Sequence, residues 1–210
     1  LALGLRFILL SASPCPTNLP VFTSLNLLVS FEYFNPACFS ILPFFMRLPD
    51  ASKYWPSLAV TSLAAGDYYG INQFIEANNI GDLAWGTASA KTVTLSFYVY
   101  CTLTGTFGGA IRTGDGSNYS YPFTYTISSA NTWEKKSITI PGPTSGTWNS
   151  TTGQGLDVWF SLGTGSTYSG AANTWAAANY VNATGTVNLV GTASGSGGNW
   201  YITGVQLEVG

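Results

Sequence analysis

From about residue 57 onward, hydrophobic and polar residues alternate in short runs. In KTVTLSFYVYC, every second residue from Val93 to Cys101 is apolar, and those from Thr92 to Tyr100 carry hydroxyl groups. Successive side chains of a β-strand point to opposite faces, so this spacing predicts a strand with one buried face. The buried set includes Cys101, which we interpret as a small buried hydrophobic residue.

Three further runs, YPFTYTI, KKSITI and GLDVWFSLG, repeat this alternation. Turn signals rich in Gly, Ser and Asn follow them, among them SSANT, PGPTSG and GTGS. No convincing amphipathic helix occurs, although INQFIEANNIGDL and AANTWAAANYV could each form a helical turn. The pattern predicts an all-β fold, an antiparallel β-sandwich of the jelly-roll type.

The closing run, WYITGVQLEVG, alternates in the same way. Val205, Leu207 and Val209 are apolar, whereas Gln206 and Glu208 are polar. We expect these three apolar side chains to insert into the sandwich core, which would place the C-terminal strand inside a sheet and complete the folded module.

Residues 1–56 differ in character from the rest. The first 50 residues hold four charges and six of the chain's ten prolines. Those prolines interrupt every apolar stretch before it reaches the roughly 18 residues that a membrane span needs. We predict an apolar N-terminal arm with the first strands, packed on a partner subunit. A second interpretation is that the residue identities in this segment are misassigned.

Composition excludes several classes of function. Charged residues make up 8% of the chain, against about 25% in an average protein. The net charge of −2 gives no basic surface for nucleic acid. Histidine is absent, and with it the most frequent general base and transition-metal ligand. The three cysteines have no C-x-x-C spacing, so we expect neither a metal site nor a cofactor.

The carboxylates provide no evident catalytic pair. A glycosidase needs two carboxyl groups facing each other across a cleft. Asp157 and Glu208 both occupy outward positions of predicted strands and could come near each other, but isolated surface charges are the simpler interpretation. Asp115, in TGDGSN, is one acid where calcium needs six to eight oxygens, so we interpret it as a turn residue. We therefore expect a protein without enzymatic activity.

Aromatic residues on the outward side of the strands are the best candidates for function. Tyr98, Tyr100 and Trp159 alternate out of phase with the predicted core, and we expect Tyr68 and Tyr69 to line a loop-end site. Two interpretations stay open. These rings anchor a contact with another subunit, or they stack against sugar rings. We favour subunit packing.

Several long phrases resemble a domain of tailed-bacteriophage virion proteins, found in tail fibres and at the particle surface. They include IGDLAWGTASAKTVTLSFYV, YPFTYTISSANTWEKKSITIPGPTSGTW and WYITGVQLEVG, in the family's order, and the resemblance covers about residues 57–210. It implies a jelly-roll sandwich related in architecture to carbohydrate-binding modules. It also implies a virion location, with other virion proteins or copies of the chain as partners, commonly in trimers, and host surface glycans as the alternative ligand.

Overall fold

The computed structural model describes residues 62–114, 119–189 and 198–210. Within them the fold is all-β and its two larger sheets are antiparallel, as predicted. The predicted N-terminal arm, residues 1–56, and Asp115 lie outside these residues. In chain order, the strands are β1 Tyr68–Glu76, β2 Val93–Cys101, β3 Gly105–Thr113, β4 Ser120–Ile127, β5 Thr132–Ile140, β6 Gln154–Thr164, β7 Ser169–Gly170, β8 Asn182–Ala183 and β9 Trp200–Val209.

Three short 3₁₀ turns, Ala77–Asn79, Gly81–Leu83 and Ser166–Tyr168, accompany the strands. The helical turn expected in INQFIEANNIGDL is therefore present only in its second half, because the first half belongs to β1. The turn expected in AANTWAAANYV is wrong. That stretch has no helix, and Ala176 instead forms an isolated bridge with Ser120.

The strands form two principal sheets that pack as a sandwich. One has the order β1-β6-β3-β4 and the other the order β5-β2-β9. Their inward side chains share one core, in which Phe97 of β2 lies edge-on to Phe160 of β6 and to Tyr125 of β4. The alternation predicted for KTVTLSFYVYC is confirmed, since Val93 through Cys101 are buried at every second position. The jelly-roll connectivity stays a prediction.

Strand β6 is buried on both faces, which its alternating sequence does not show. Residues 165–189 cover the outward face of β6, and within them β7 and β8 form a short parallel pair. Strand β8 contacts β3, β4 and β6. Gly108 on β3 permits this approach, because a Cβ there would lie 2.3 Å from Oδ1 of Asn182. The outer face of β6 and the adjoining parts of β3 and β4 are therefore buried, whereas Thr106 and Thr126 at one end of the sheet are exposed.

The C-terminal strand is paired as predicted, but its alternation changes phase. Trp200 and Ile202 point inward, and an extra residue near Gly204, opposite β2, then shifts the inward set to Val205 and Leu207. Gly204 adopts φ +60°, as in a bulge with a left-handed glycine. The expectation that Val209 enters the core is wrong. Its side chain is 54% exposed, because the last residues of β9 reach the rim of the sandwich.

Candidate functional site

Four aromatic side chains gather on the outer side of the three-stranded sheet, and we call them the aromatic face: Tyr98, Tyr100, Trp133 and Tyr201. Tyr100, on the central strand β2, has Trp133 of β5 and Tyr201 of β9 as its direct neighbours in register. Residues opposite each other on one side of an antiparallel pair lie close enough for their side chains to touch. Register thus assembles a row of three rings across the sheet, with Tyr98 two residues away on β2.

The rings of this row contact one another at an angle. The ring centroids of Tyr100 and Trp133 are 5.7 Å apart with planes inclined by 50°, and those of Tyr100 and Tyr201 are 5.5 Å apart and inclined by 60°. Such tilted contacts are the favourable geometry for aromatic pairs. Neighbouring rings therefore stabilise each other and do not share one plane.

Tyr98 and Trp133 are the most exposed members of the aromatic face, at 44% and 39%. Tyr100 is half-buried, and its hydroxyl donates a hydrogen bond to Oδ1 of Asn131 at 3.2 Å. Asn131 also donates its backbone N–H to the carbonyl of Cys101. The turn between β4 and β5 therefore holds one end of the aromatic face in place. The prediction that Tyr98 and Tyr100 share an outward face is confirmed.

The prediction that Trp159 lies on a solvent-facing surface is wrong. Its side chain points away from the sandwich core, as the alternation indicated, but it is only 1% exposed. Tyr68 packs edge-on against it at 5.7 Å, and Tyr68 in turn contacts Tyr168 at 4.6 Å. The Arg112 guanidinium lies 5.3 Å from the Trp159 ring centroid. The residues covering this sheet therefore remove Trp159 from contact with any large ligand.

Asp157 is also buried, so its interpretation as a surface charge is wrong. Arg112 pairs with its carboxylate through two nitrogens, with Nε 3.1 Å from Oδ2, and Asn72 donates to Oδ1 at 3.0 Å. Burial raises the Asp157 pKa above its ordinary value, while Arg112 and Asn72 oppose that rise. Asp157 lies on β6 and Glu208 on β9, in different sheets, so the two do not form a catalytic pair.

Tyr68 and Tyr69 belong to β1 in the four-stranded sheet and do not join the aromatic face. The Tyr69 hydroxyl donates to the carbonyl of Leu189 at 2.6 Å, and burial raises the pKa of Tyr69 to about 12. Tyr68 contacts Trp159 and Tyr168. Both tyrosines are half-buried, and a loop-end site beside them stays a prediction.

The sequence did not reveal a second aromatic cluster, made of Trp85, Trp148, Trp175 and Tyr119. Trp85 lies 4.7 Å from Trp148 and 5.6 Å from Trp175. Each indole nitrogen donates to a backbone carbonyl, of Lys91, Ser145 and Pro141 respectively. The Trp175 bond joins two loops, and the ring contacts of Trp85 with Trp148 and Trp175 join both of them to the loop before β2, which is a structural role. All three tryptophans lie outside the alternating runs, so no periodicity marked them.

The described residues contain no group of three or more His, Cys, Asp or Glu side chains placed to hold a metal ion. An open depression lies beside Glu76, Asn78 and residues 151–154, and Glu76 is the one carboxylate in its lining. No helix in the described ranges is long and apolar enough to cross a membrane.

Comparison with known proteins does not add to this geometry. A scan against protein-family models finds no match for the chain, and a search of curated proteins finds none either. The resemblance to phage virion proteins stays a prediction.

Proposed function

We propose that this chain is a non-enzymatic structural protein of a tailed-phage virion, displayed on a tail fibre or on the capsid, and that the aromatic face is its contact with another copy of the chain. The observation that carries the proposal is the grouping of four aromatic rings on the outer side of one sheet. Tyr and Trp are enriched at the centres of protein interfaces, since they bury large areas at low entropic cost. We also propose that the strands of the sandwich are connected as a jelly roll.

The inclination of the rings favours a protein partner over a sugar chain. A flat platform for several sugar rings needs aromatic planes that are nearly parallel. Here the neighbouring planes are inclined by 50° and 60°. An irregular protein surface can fill the angles between the rings, whereas an extended sugar chain could stack on one ring at a time.

The polar residues around the aromatic face fit the same role. Outward neighbours on the sheet include Thr94, Ser96 and Ser137, with Lys135 beside Tyr98. A contact that depends on hydroxyl and aromatic groups is less sensitive to ionic strength than one built on surface ion pairs, because salt screens exposed charges. Symmetric self-association is also the usual form of assembly for soluble oligomers, and a trimer is the form that the phage resemblance implies.

The buried state of Asp157 supports a role without catalysis. Its carboxylate is engaged by Arg112 and Asn72 and is 1% exposed, so it has no access to a substrate. The chain also has no histidine to serve as a general base. Any cleavage of polysaccharide by the purified chain would contradict this part of the proposal.

The test is the oligomeric mass of the purified chain, measured by sedimentation over a range of concentrations. We expect an oligomer that the Tyr98→Ala/Trp133→Ala double variant dissociates. Val209→Ala is the matched control, because Val209 is an exposed apolar residue outside the aromatic face. A wild-type chain that stays monomeric, or a double variant with unchanged mass, would contradict self-association through this surface.

Binding of host surface glycans is the second candidate function. Tyr98 and Trp133 are each exposed enough to take one sugar ring, and the amide of Gln206 and the hydroxyl groups of β2 supply hydrogen-bonding neighbours. Glycan-array binding that disappears in Trp133→Ala, while the oligomeric mass is unchanged, would promote this candidate. An absence of binding across a broad array would remove it.

A further inference from the structure

Two tyrosine rings meet where the layer formed by residues 165–189 joins the four-stranded sheet. Tyr68 is the first residue of β1, and Tyr168 is the last residue of the 3₁₀ turn that follows β6. Their ring centroids are 4.6 Å apart, with planes inclined by 60°. Aromatic pairs in proteins have centroids about 4.5–7 Å apart, so this pair lies at the close end of that range.

Backbone hydrogen bonds hold both tyrosines in place. Tyr68 belongs to the antiparallel pairing of β1 with β6. The carbonyl of Tyr168 accepts the N–H of Val181 at 2.9 Å. The neighbouring Thr167 donates its own N–H to the carbonyl of Ala65, also at 2.9 Å. Groups held at contact distance react far faster than free molecules, because the entropy of bringing them together has already been lost.

Both rings are partly accessible to solvent. Tyr68 and Tyr168 are each half-buried, so a small solute in water can reach their edges. Burial raises the pKa of Tyr68, although the nearby Arg112 cation opposes that rise. The Tyr68 phenol is therefore protonated at neutral pH, and the loss of an electron from it is accompanied by the loss of its proton to water.

The buried ring of Trp159 directs oxidation toward this pair. It lies 5.7 Å from the Tyr68 ring, close enough for an electron to pass between them. The Arg112 guanidinium, 5.3 Å from the Trp159 centroid, disfavours a positive charge on the indole, since like charges repel strongly in a poorly solvated interior. Within the described ranges, the buried Trp159 Nε1 has no hydrogen-bond partner to take its proton. We therefore expect an oxidised Trp159 to take an electron from Tyr68.

We propose that Tyr68 and Tyr168 form a modification site, at which a diffusible one-electron oxidant joins the two rings as an intramolecular dityrosine. Each ring gives one electron to the oxidant and one proton to water, which leaves two phenoxyl radicals. A C–C bond then forms between the two ring carbons that lie next to the hydroxyl-bearing carbons. The hydrogen on each bonded carbon moves to its phenol oxygen, so the product has lost two hydrogen atoms in all.

The new bond requires little movement of the rings. Directly bonded rings have centroids separated by two ring radii and one C–C bond, which is slightly less than the 4.6 Å between Tyr68 and Tyr168. On the aromatic face, Tyr100 and Tyr201 are farther apart, at 5.5 Å. The link between Tyr68 and Tyr168 fastens the layer of residues 165–189 to β1.

Limited oxidation of the full-length chain at low concentration tests the site. The oxidant is photogenerated tris(bipyridine)ruthenium(III), with persulfate as the final electron acceptor. Trypsin cuts after lysine and arginine, which places Tyr68 in the peptide 54–91 and Tyr168 in the peptide 137–210. In chains of monomeric mass, we expect mass spectrometry to find these two peptides joined, with two hydrogen atoms fewer than their sum. Tyr68→Phe and Tyr168→Phe should each lower the yield about tenfold or more, because the pairing in space is lost.

Tyr69→Phe and Tyr201→Phe are the matched controls, because each removes a tyrosine from one of the same two peptides but outside the contact. The Tyr69 hydroxyl is bonded to the carbonyl of Leu189, and Tyr201 belongs to the aromatic face. Both variants should keep the wild-type yield. A link that is absent from the wild type, is found solely between two chains, or persists unchanged in Tyr168→Phe would overturn the proposal.

A second measurement is the Tm of the cross-linked monomer. We expect a Tm about 10 °C higher than without the link, because a covalent bridge that encloses a long loop restricts the unfolded chain. Oxidised Tyr168→Phe is the control, since it carries the other products of oxidation without the link. A Tm no higher than that of this control would contradict a link formed in the native geometry.

Discussion

Arg112 on β3 and Asp157 on β6 face each other in register and form an ion pair beneath the layer that covers the four-stranded sheet. The Asp157 side chain is 1% exposed. A charge this deeply buried is tolerated because three donor groups, two from Arg112 and one from Asn72, compensate for its lost hydration. The pair therefore joins two strands at a place where an unpaired charge would be costly.

We expect Arg112→Ala to lower the free energy of unfolding by about 3 kcal/mol at neutral pH, because it leaves a buried carboxylate without its cation. Burial already raises the Asp157 pKa, and Arg112 opposes that rise. A carboxyl whose pKa is higher in the folded protein stabilises the fold at low pH and loses that contribution as pH rises through the folded pKa. Denaturant unfolding of the variant should therefore show a smaller deficit at about pH 4 than at pH 7. Adding Asp157→Asn to the variant should remove this pH dependence, and a deficit that is constant with pH would contradict the explanation.

Lys136→Gln should lower the Tm of the protein near neutral pH and have a smaller effect on Tm in acid. Lys136 hydrogen-bonds Glu134, whose other oxygen accepts the N–H groups of Ser128 and Ser129, and these contacts lower the Glu134 pKa. A lowered carboxyl pKa stabilises the fold above the unfolded pKa, and that contribution is lost as pH falls through the folded pKa. The Tm difference from wild type should thus be larger at about pH 6 than at about pH 2.5. Lys135→Gln is the control, and an equal pH dependence in both variants would rule out this pairing as the cause.

Gly204→Ala should lower the free energy of unfolding by about 1 kcal/mol. Gly204 has φ +60°, a left-handed conformation that costs about this much for a residue with a Cβ. Space is not the obstacle, since the nearest atom to an added Cβ is a Tyr98 ring carbon at 3.4 Å. Gly66→Ala is the matched control, because Gly66 has no neighbour within 4 Å and no left-handed φ. Chemical denaturation gives both values, and equal losses would refute the bulge as the cause.

Replacement by alanine should destabilise the protein much more at the buried Trp159 than at the exposed Trp133. We expect Trp159→Ala to cost about 3–5 kcal/mol of stability through the cavity that it leaves. Trp133→Ala should cost no more than about 1 kcal/mol, because Trp133 is 39% exposed. Denaturation of the two variants as isolated proteins measures both effects. A small loss for Trp159→Ala would show that the layer above the four-stranded sheet does not pack on it.

The alternation of apolar and polar residues located the strands, because residues close together in the sequence specify which side of a strand is apolar. The runs at β2, β4 and β5 predicted both the strand and its buried side, and Tyr98 and Tyr100 were placed outward on that basis. Trp133 and Tyr201 were missed as members of the aromatic face, because cross-strand register, not local spacing, brings them beside Tyr100. The sequence pattern did not predict the phase change at Gly204 for a related reason, since a bulge is defined by the pairing with the partner strand.

The sequence by itself determined that the chain is all-β, which residues alternate between the two faces of its strands, and that its surface carries few charges. Alternation fixes which way a side chain points, because successive residues of a strand face opposite sides. Only the tertiary structure decided what lies on each side. It buried Trp159 and Asp157 under β8 and its neighbours, and left Tyr98 and Trp133 exposed. Burial depends on segments distant in the sequence, and no local pattern records where they pack.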